Sequence, residues 1–205
     1  MTAKFAVTLT LAAVVAWSGP AAAAGNAQAG QAKSVTCLAC HGADGNSANP
    51  EWPNLAGQHA AYLQRQLKGF KAGERQNPLM TPMAMPLQDQ DIDDLAAFFS
   101  KQALRAADET DPSKLQLGQR VYRSGSQVNG GVPSCAGCHG PAGAGNPAAA
   151  YPRIGGQHGT YVAAQLRNYK SGARTTDPNQ TMRTIASKLS EAEIDAVASY
   201  VQGLR

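Results

Sequence analysis

Two five-residue blocks in this chain could do chemistry: Cys37-Leu38-Ala39-Cys40-His41 and Cys135-Ala136-Gly137-Cys138-His139. Two thiols three residues apart, followed at once by an imidazole, form the attachment pattern of c-type haem. The thiols add to the two vinyl groups of the porphyrin, and the adjacent imidazole lies under the iron as an axial ligand. Together the blocks use all four cysteines and two of the four histidines, which leaves little room for coincidence. A zinc or thiol-redox reading of the C-x-x-C pairs ignores the His that follows each one. Thioether bonds would consume every thiol, so no disulfide is expected.

A second pattern runs through the whole chain: it is written twice. Pro53-Asn54-Leu55-Ala56-Gly57-Gln58-His59, ending at Tyr62, matches Pro152-Arg153-Ile154-Gly155-Gly156-Gln157-His158, ending at Tyr161. The match continues through Gln66-Leu67 and Gln165-Leu166, Phe70-Lys71 and Tyr169-Lys170, and Arg75 and Arg174. This repeat selects the second axial ligands. The first half carries Met80, Met83 and Met85, and the second half only Met182. Aligning the two final segments without a gap places Met80 on Met182, Met83 on Ile185 and Met85 on Ser187. Met80 and Met182 are therefore the expected sixth ligands, with Met83 and Met85 as haem-crevice packing. The competing reading makes these methionines core filler, a common role for Met.

The elements that must hold these residues are helical. Ile92, Leu95, Ala96 and Phe99 recur at i, i+3, i+4 and i+7, as do Ile194, Val197, Ala198 and Val201. Ser190 and Glu193 form a capping-box start for the second of these helices. Tyr62, Leu63, Gln66, Leu67 and Phe70 mark a preceding helix, copied by Tyr161, Val162, Leu166 and Tyr169. Short helices should lead into each C-x-x-C-H block, near residues 30–36 and 117–122. No useful alternating strand pattern is present. Each half reads as helix, C-x-x-C-H, loop, helix, Met loop, helix. The fold class expected is all-α, with two tandem domains each packed around a covalent haem. Pro53 and Pro152 follow the motif histidines by 12 and 13 residues and are candidates to accept a hydrogen bond from them. His59 and His158 read as polar residues at helix starts, reaching a haem propionate or the domain interface.

The first residues read as a processing segment. Lys4 precedes an apolar stretch over residues 5–17, followed by Gly19-Pro20 and by Ala22-Ala23-Ala24, a small-x-small cleavage site. The stretch is short of the roughly 20 apolar residues a membrane span needs. The expected division is a signal peptide over 1–24, cleaved after Ala24, a first domain over 25–104, a linker over 105–113 and a second domain over 114–205. The mature chain is then exported to the periplasm with no transmembrane span, and peripheral membrane association stays open. A domain of this size is marginal on its own core, and a buried haem supplies apolar surface. Residues 25–110 hold seven Lys/Arg against nine Asp/Glu, and residues 111–205 hold ten against five. This asymmetry suits a carrier that orients between unlike protein partners. It lacks the basic cluster that nucleic acid requires.

Each half resembles a class I c-type cytochrome domain, and the chain from about residue 25 to its end resembles the diheme cytochrome c4 family of bacterial respiratory chains. The resemblance rests on both C-x-x-C-H blocks, Gly42-Ala43-Asp44-Gly45-Asn46-Ser47, the paired Leu55-to-Gln58 and Ile154-to-Gln157 segments, Met80-Thr81-Pro82-Met83, and the Tyr200-to-Leu204 end. It implies two covalently bound haem c groups and no catalytic residues. It also implies transfer of single electrons from a quinol-oxidising complex to a terminal oxidase. Two other readings stay open: a haem-bearing subunit docked on a dehydrogenase, and a diheme peroxidase-like enzyme. The second needs one iron with an open or releasable ligand.

Overall fold

In the computed structural model, residues 25–107 and 111–205 are described. The expected signal segment, residues 1–24, and residues 108–110 of the expected linker lie outside them. The first half contains α1 (Ala27–Lys33), α2 (Val35–His41), α3 (Ala60–Lys71), α4 (Met80–Ala84) and α5 (Asp89–Ser100). The second contains α6 (Leu115–Ser124), α7 (Ala136–His139), α8 (Gly159–Ser171), α9 (Thr181–Lys188) and α10 (Glu191–Gln202). Among the described residues the only β pairings are two isolated bridges, Ser126 with Val132 and Asn146 with Tyr151.

The helices start where local chemistry satisfies their free N–H groups. Asn26 accepts from Gln28 and Ala29 at the head of α1. The expected capping box at Ser190 is present on α10, and α5 has its counterpart in Gln88 and Asp91. The apolar stripes of α5 and α10 face inward: Ile92, Leu95, Ala96 and Phe99 are no more than 3% exposed, as are Ile194, Val197, Ala198 and Val201.

Each domain is closed by a crossing of its first and last long helices, α1 on α5 and α6 on α10. A glycine sits at each crossing. A Cβ at Gly30 would run into the Asp94 carbonyl, and one at Gly118 into the Ala196 carbonyl. No larger residue permits that approach. The domains differ in how the chain then reaches the haem motif. Cys37 follows Gly30 by seven residues, whereas Cys135 follows Gly118 by seventeen. The extra segment in the second domain forms the bridge between Ser126 and Val132.

The two domains are joined by bonds that repeat about a pseudo-two-fold axis. The Gln157 side-chain amide accepts from Asn54 N–H at 2.8 Å and donates to the Asn54 carbonyl at 2.9 Å. Gln58 does the same with the Arg153 backbone, at 2.9 and 2.8 Å. A side-chain amide thus acts as one rung of a backbone ladder, twice.

Candidate haem sites

The C-x-x-C-H blocks end α2 and α7. Both helices stop at a glycine of positive φ, Gly42 (77°) and Gly140 (78°), which turns the chain just after the histidine. His41 and His139 are buried. His41 Nδ1 lies 2.9 Å from the Pro53 carbonyl, and His139 Nδ1 lies 2.9 Å from the Pro152 carbonyl. A carbonyl can only accept, so Nδ1 carries the proton and Nε2 keeps its lone pair. Burial pulls both imidazole pKa values below the ordinary value, against the opposing carbonyl bond. The rings are held neutral and in the tautomer an iron ligand requires. The proline carbonyls expected from spacing are thus the ones used.

The four cysteines are unpaired thiols. Burial pushes the Cys37 thiol up, and raises Cys135 to about 11. Among the described residues no group of three or more His, Cys, Asp or Glu converges on an ion site. The donor set, two thiols and one Nδ1-bonded imidazole in each C-x-x-C-H block, fits thioether attachment of one haem with one imidazole for its iron.

Met80 opens α4 and Met182 lies one residue into α9, both half-buried. Ala84 and Ala186, the fourth residues after these methionines, are both 0% exposed. Met83 and Met85 are 42% and 61% exposed on the protein surface. The segments are anchored differently. The Asn77 side chain accepts from Leu79 and Met80 N–H. In the second domain Asp177 takes both the backbone N–H and the guanidinium Nε of Arg183, at 2.9 and 2.7 Å.

His59 and His158 belong to the interface. Each precedes a helix, and each reaches across it: His59 Nε2 lies 2.9 Å from the Ala144 carbonyl, and His158 Nε2 lies 2.9 Å from the Ser47 carbonyl. Tyr62 and Tyr161 do likewise, with hydroxyls that accept from Arg174 (2.9 Å) and Arg75 (3.0 Å) of the other domain. Sequence reasoning matched these residues as repeats without finding their partners.

The cytochrome c family pattern matches residues 22–103 and 115–205. Cytochrome c4 of Azotobacter vinelandii is 46% identical over 98% of this chain and 99% of its own length. The chain belongs to the cytochrome c4 family. The solved structure of reduced recombinant cytochrome c4 from Pseudomonas stutzeri superposes with a TM-score of 0.85 at 45% identity, covering 89% of this chain and all of that one. A third relative is the thiosulfate dehydrogenase electron acceptor of Stutzerimonas stutzeri, 38% identical over 81% of this chain and 77% of its own. Membership and the two intact C-x-x-C-H motifs give this chain two covalently bound haem c groups. It is an all-α, diheme electron-transfer cytochrome and not an enzyme. Among the described residues no helix is long and apolar enough to cross a membrane.

Proposed function

We propose that this cytochrome is a mobile periplasmic carrier that takes single electrons from a quinol-oxidising complex and gives them to a terminal oxidase. In this reading the signal peptide over 1–24 is cleaved after Ala24, and domains over 25–104 and 114–205 flank a linker over 105–113. Cys37 and Cys40 hold one haem and Cys135 and Cys138 the other. The axial pairs are His41 with Met80 and His139 with Met182. When bound, each haem supplies an iron that changes oxidation state by one electron.

The chain's own part is to fix the ligands and to exclude other chemistry. The Pro53 and Pro152 carbonyls hold the imidazole rings in place. A thioether opposite each imidazole favours the ferrous state and raises the potential. With His41 and Met80 for one haem and His139 and Met182 for the other, no ligand position would be left for oxygen or peroxide, which disfavours the peroxidase-like reading. The single observation that carries this assignment is the matched burial of Ala84 and Ala186, which supports the register that pairs Met80 with Met182.

The test is a visible spectrum of the purified holoprotein with a haem-to-protein ratio. Two haems per chain and a weak Met–iron charge-transfer band in the far red are expected. Met80→Ala and Met182→Ala should each remove about half of that band, and Met83→Ala none. Loss of the first-domain share only in the Met83 variant would overturn the register. A second reading is favoured by the relative named as an acceptor for thiosulfate dehydrogenase: a subunit held on a dehydrogenase. Co-purification of a stable complex would select it over a mobile carrier.

A further inference from the structure

The peptide groups that hold the two motif histidines each make a second bond, and it goes to the other domain. A carbonyl and the N–H of the next residue belong to one planar unit. The Pro53–Asn54 unit accepts from His41 Nδ1 at its carbonyl, 2.9 Å away, and gives its N–H to Gln157 Oε1 at 2.8 Å. The Pro152–Arg153 unit accepts from His139 Nδ1 at 2.9 Å and gives its N–H to Gln58 Oε1 at 2.9 Å. Gln157 belongs to the second domain and Gln58 to the first, so the two relays cross. Each runs without a break from imidazole to carbonyl to N–H to side-chain amide.

Both glutamines are buried. Each Oε1 accepts a second N–H, from His59 for Gln58 and from His158 for Gln157, both at 3.0 Å, which fixes its aim. Each Nε2 donates to the carbonyl one residue beyond the proline, Arg153 at 2.8 Å and Asn54 at 2.9 Å. An amide flip would therefore set donor against donor and acceptor against acceptor. The next N–H groups in the same loops are satisfied within their own domain: Leu55 and Ala56 by the Gly45 carbonyl, and Ile154 and Gly155 by the Gly143 carbonyl. Among the backbone N–H groups of 53–56 and 152–155, those that cross the interface are the two whose own peptide units face an imidazole.

We infer that Gln58 and Gln157 are positioning residues for the motif imidazole of the opposite domain, and that each thereby sets part of the other domain's haem potential. The inference rests on the reading that His41 and His139 ligate the irons. Hydrogen bonds in series polarise one another, most strongly where the dielectric is low. An N–H drawn toward Oε1 makes the carbonyl of its own peptide unit a better acceptor. A better acceptor pulls on the Nδ1 proton and makes the imidazole a stronger donor at Nε2. A stronger donor favours ferric iron, and hydrogen bonding beyond the ligands is one of the levers by which a protein tunes a haem. Each iron is tuned by a side chain of the domain that holds the other.

The test is a redox titration of the holoprotein followed by proton NMR, with the haem methyl signals assigned to each domain. Gln157→Leu should raise the equilibrium constant for reduction of the first-domain haem roughly threefold, about 28 mV for one electron, and leave the second-domain haem nearly unmoved. Gln58→Leu should do the reverse. Gln157→Glu and Gln58→Glu keep the acceptor oxygen for the crossing N–H, so the affected potential should stay at or below that of the wild type. Leu variants that move neither haem, both haems alike, or only the haem of their own domain would overturn the inference. A rise in the Glu variants equal to that in the Leu variants would overturn it too, because general loosening of the interface then accounts for both. If a Leu variant does not mature, its Glu partner decides: a potential at or below the wild type supports the relay, and a rise overturns it. The same samples separate this inference from the ligand reading. Unchanged potentials in variants with two haems and a low-spin ferric spectrum remove the relay alone, whereas a wild type without the low-spin form removes the ligand reading and the relay with it.

Discussion

The two domains share a plan and differ in how they support it. In the first, the buried apolar cluster among the described residues is small: Leu63, Leu95, Ala96, Phe98 and Phe99. In the second it holds ten residues, including Tyr122 and Tyr200, whose rings lie 5.4 Å apart. The first domain uses more polar chemistry at the equivalent place. Asp94 on α5 is buried, accepts from Asn26 N–H at 2.8 Å and pairs with Lys33 at 2.6 Å. Its counterpart on α10 is Ala196, at 0% exposure. Duplication kept the helix crossing and let the means of fastening it diverge. The shared parts should therefore fail alike when broken, and the divergent parts should fail in one domain only.

The largest effects should come from the glycine crossings, which both domains share. Gly30→Val and Gly118→Val each drive a side chain into a backbone carbonyl of the facing helix. A backbone cannot yield as a side-chain tip does, so each should cost on the order of 4 kcal/mol or more and stop its domain from maturing. Haem-to-protein ratios near one in each variant are the expected readout, and a ratio of two with normal melting would refute the equivalence. Ile92→Ala and Ile194→Ala come next. Both side chains are 0% exposed, and each truncation should cost about 3 kcal/mol in chemical denaturation. A clearly smaller loss at Ile194 would show that the larger second core relaxes around the cavity.

Asp94 should separate the domains by pH. Hydrogen bonds from Lys33, Asn26 and Gln90 hold its carboxyl at about 2, below the ordinary value. A depressed folded pKa gives stability that is fully present above the unfolded value of about 3.9 and is lost as pH falls toward about 2. The first domain should lose stability in that window, and Asp94→Asn should remove that part of the pH dependence while weakening the domain at neutral pH. In the expected mature chain Trp52 is the only tryptophan and lies in the first domain, so its fluorescence reports that domain alone. A wild-type acid transition of Trp52 unchanged by Asp94→Asn would count against the role of this pair.

Much of this plan was legible in the sequence, for physical reasons that also mark where legibility ends. The apolar period of α5 and α10 named their buried faces, because a helix that buries one stripe must write it every three to four residues. The C-x-x-C-H spacing named the haem sites, because the geometry of attachment is local. Periodicity tells which face is buried and not what covers it. Gln58, Gln157, Arg75 and Arg174 were visible as repeats, but each also bonds into the other domain, and only the placement of the two domains reveals those partners. One signal could have pointed there: an arginine repeated in step with the haem motif, among neutral neighbours. The same limit applies to His59 and His158, which face backbone carbonyls that carry no side-chain signature.

The smallest expected effect is at the turn before α9, and it is a gain. Asn179 and Gln180 adopt positive φ, 54° and 57°, immediately before Thr181 and Met182. The first domain reaches Met80 without any such residue, through Asn77, Pro78 and Leu79. Asn tolerates the left-handed region, but Gln does so only against the clash of its Cβ with the following carbonyl, about 1–2 kcal/mol. Glycine removes that clash and loses about 0.5–1 kcal/mol to its greater freedom when unfolded. The Gln180 side chain makes no capping bond to α9, so little else is given up. Gln180→Gly should therefore stabilise the second domain by about 0.5 kcal/mol, a rise of a few degrees at most in its melting temperature. If the far-red Met–iron band survives unchanged, the strain is incidental to the second site. If the variant melts higher but the band weakens, the strained turn is what presses Met182 toward its position, and the two domains hold their sixth ligands by different means.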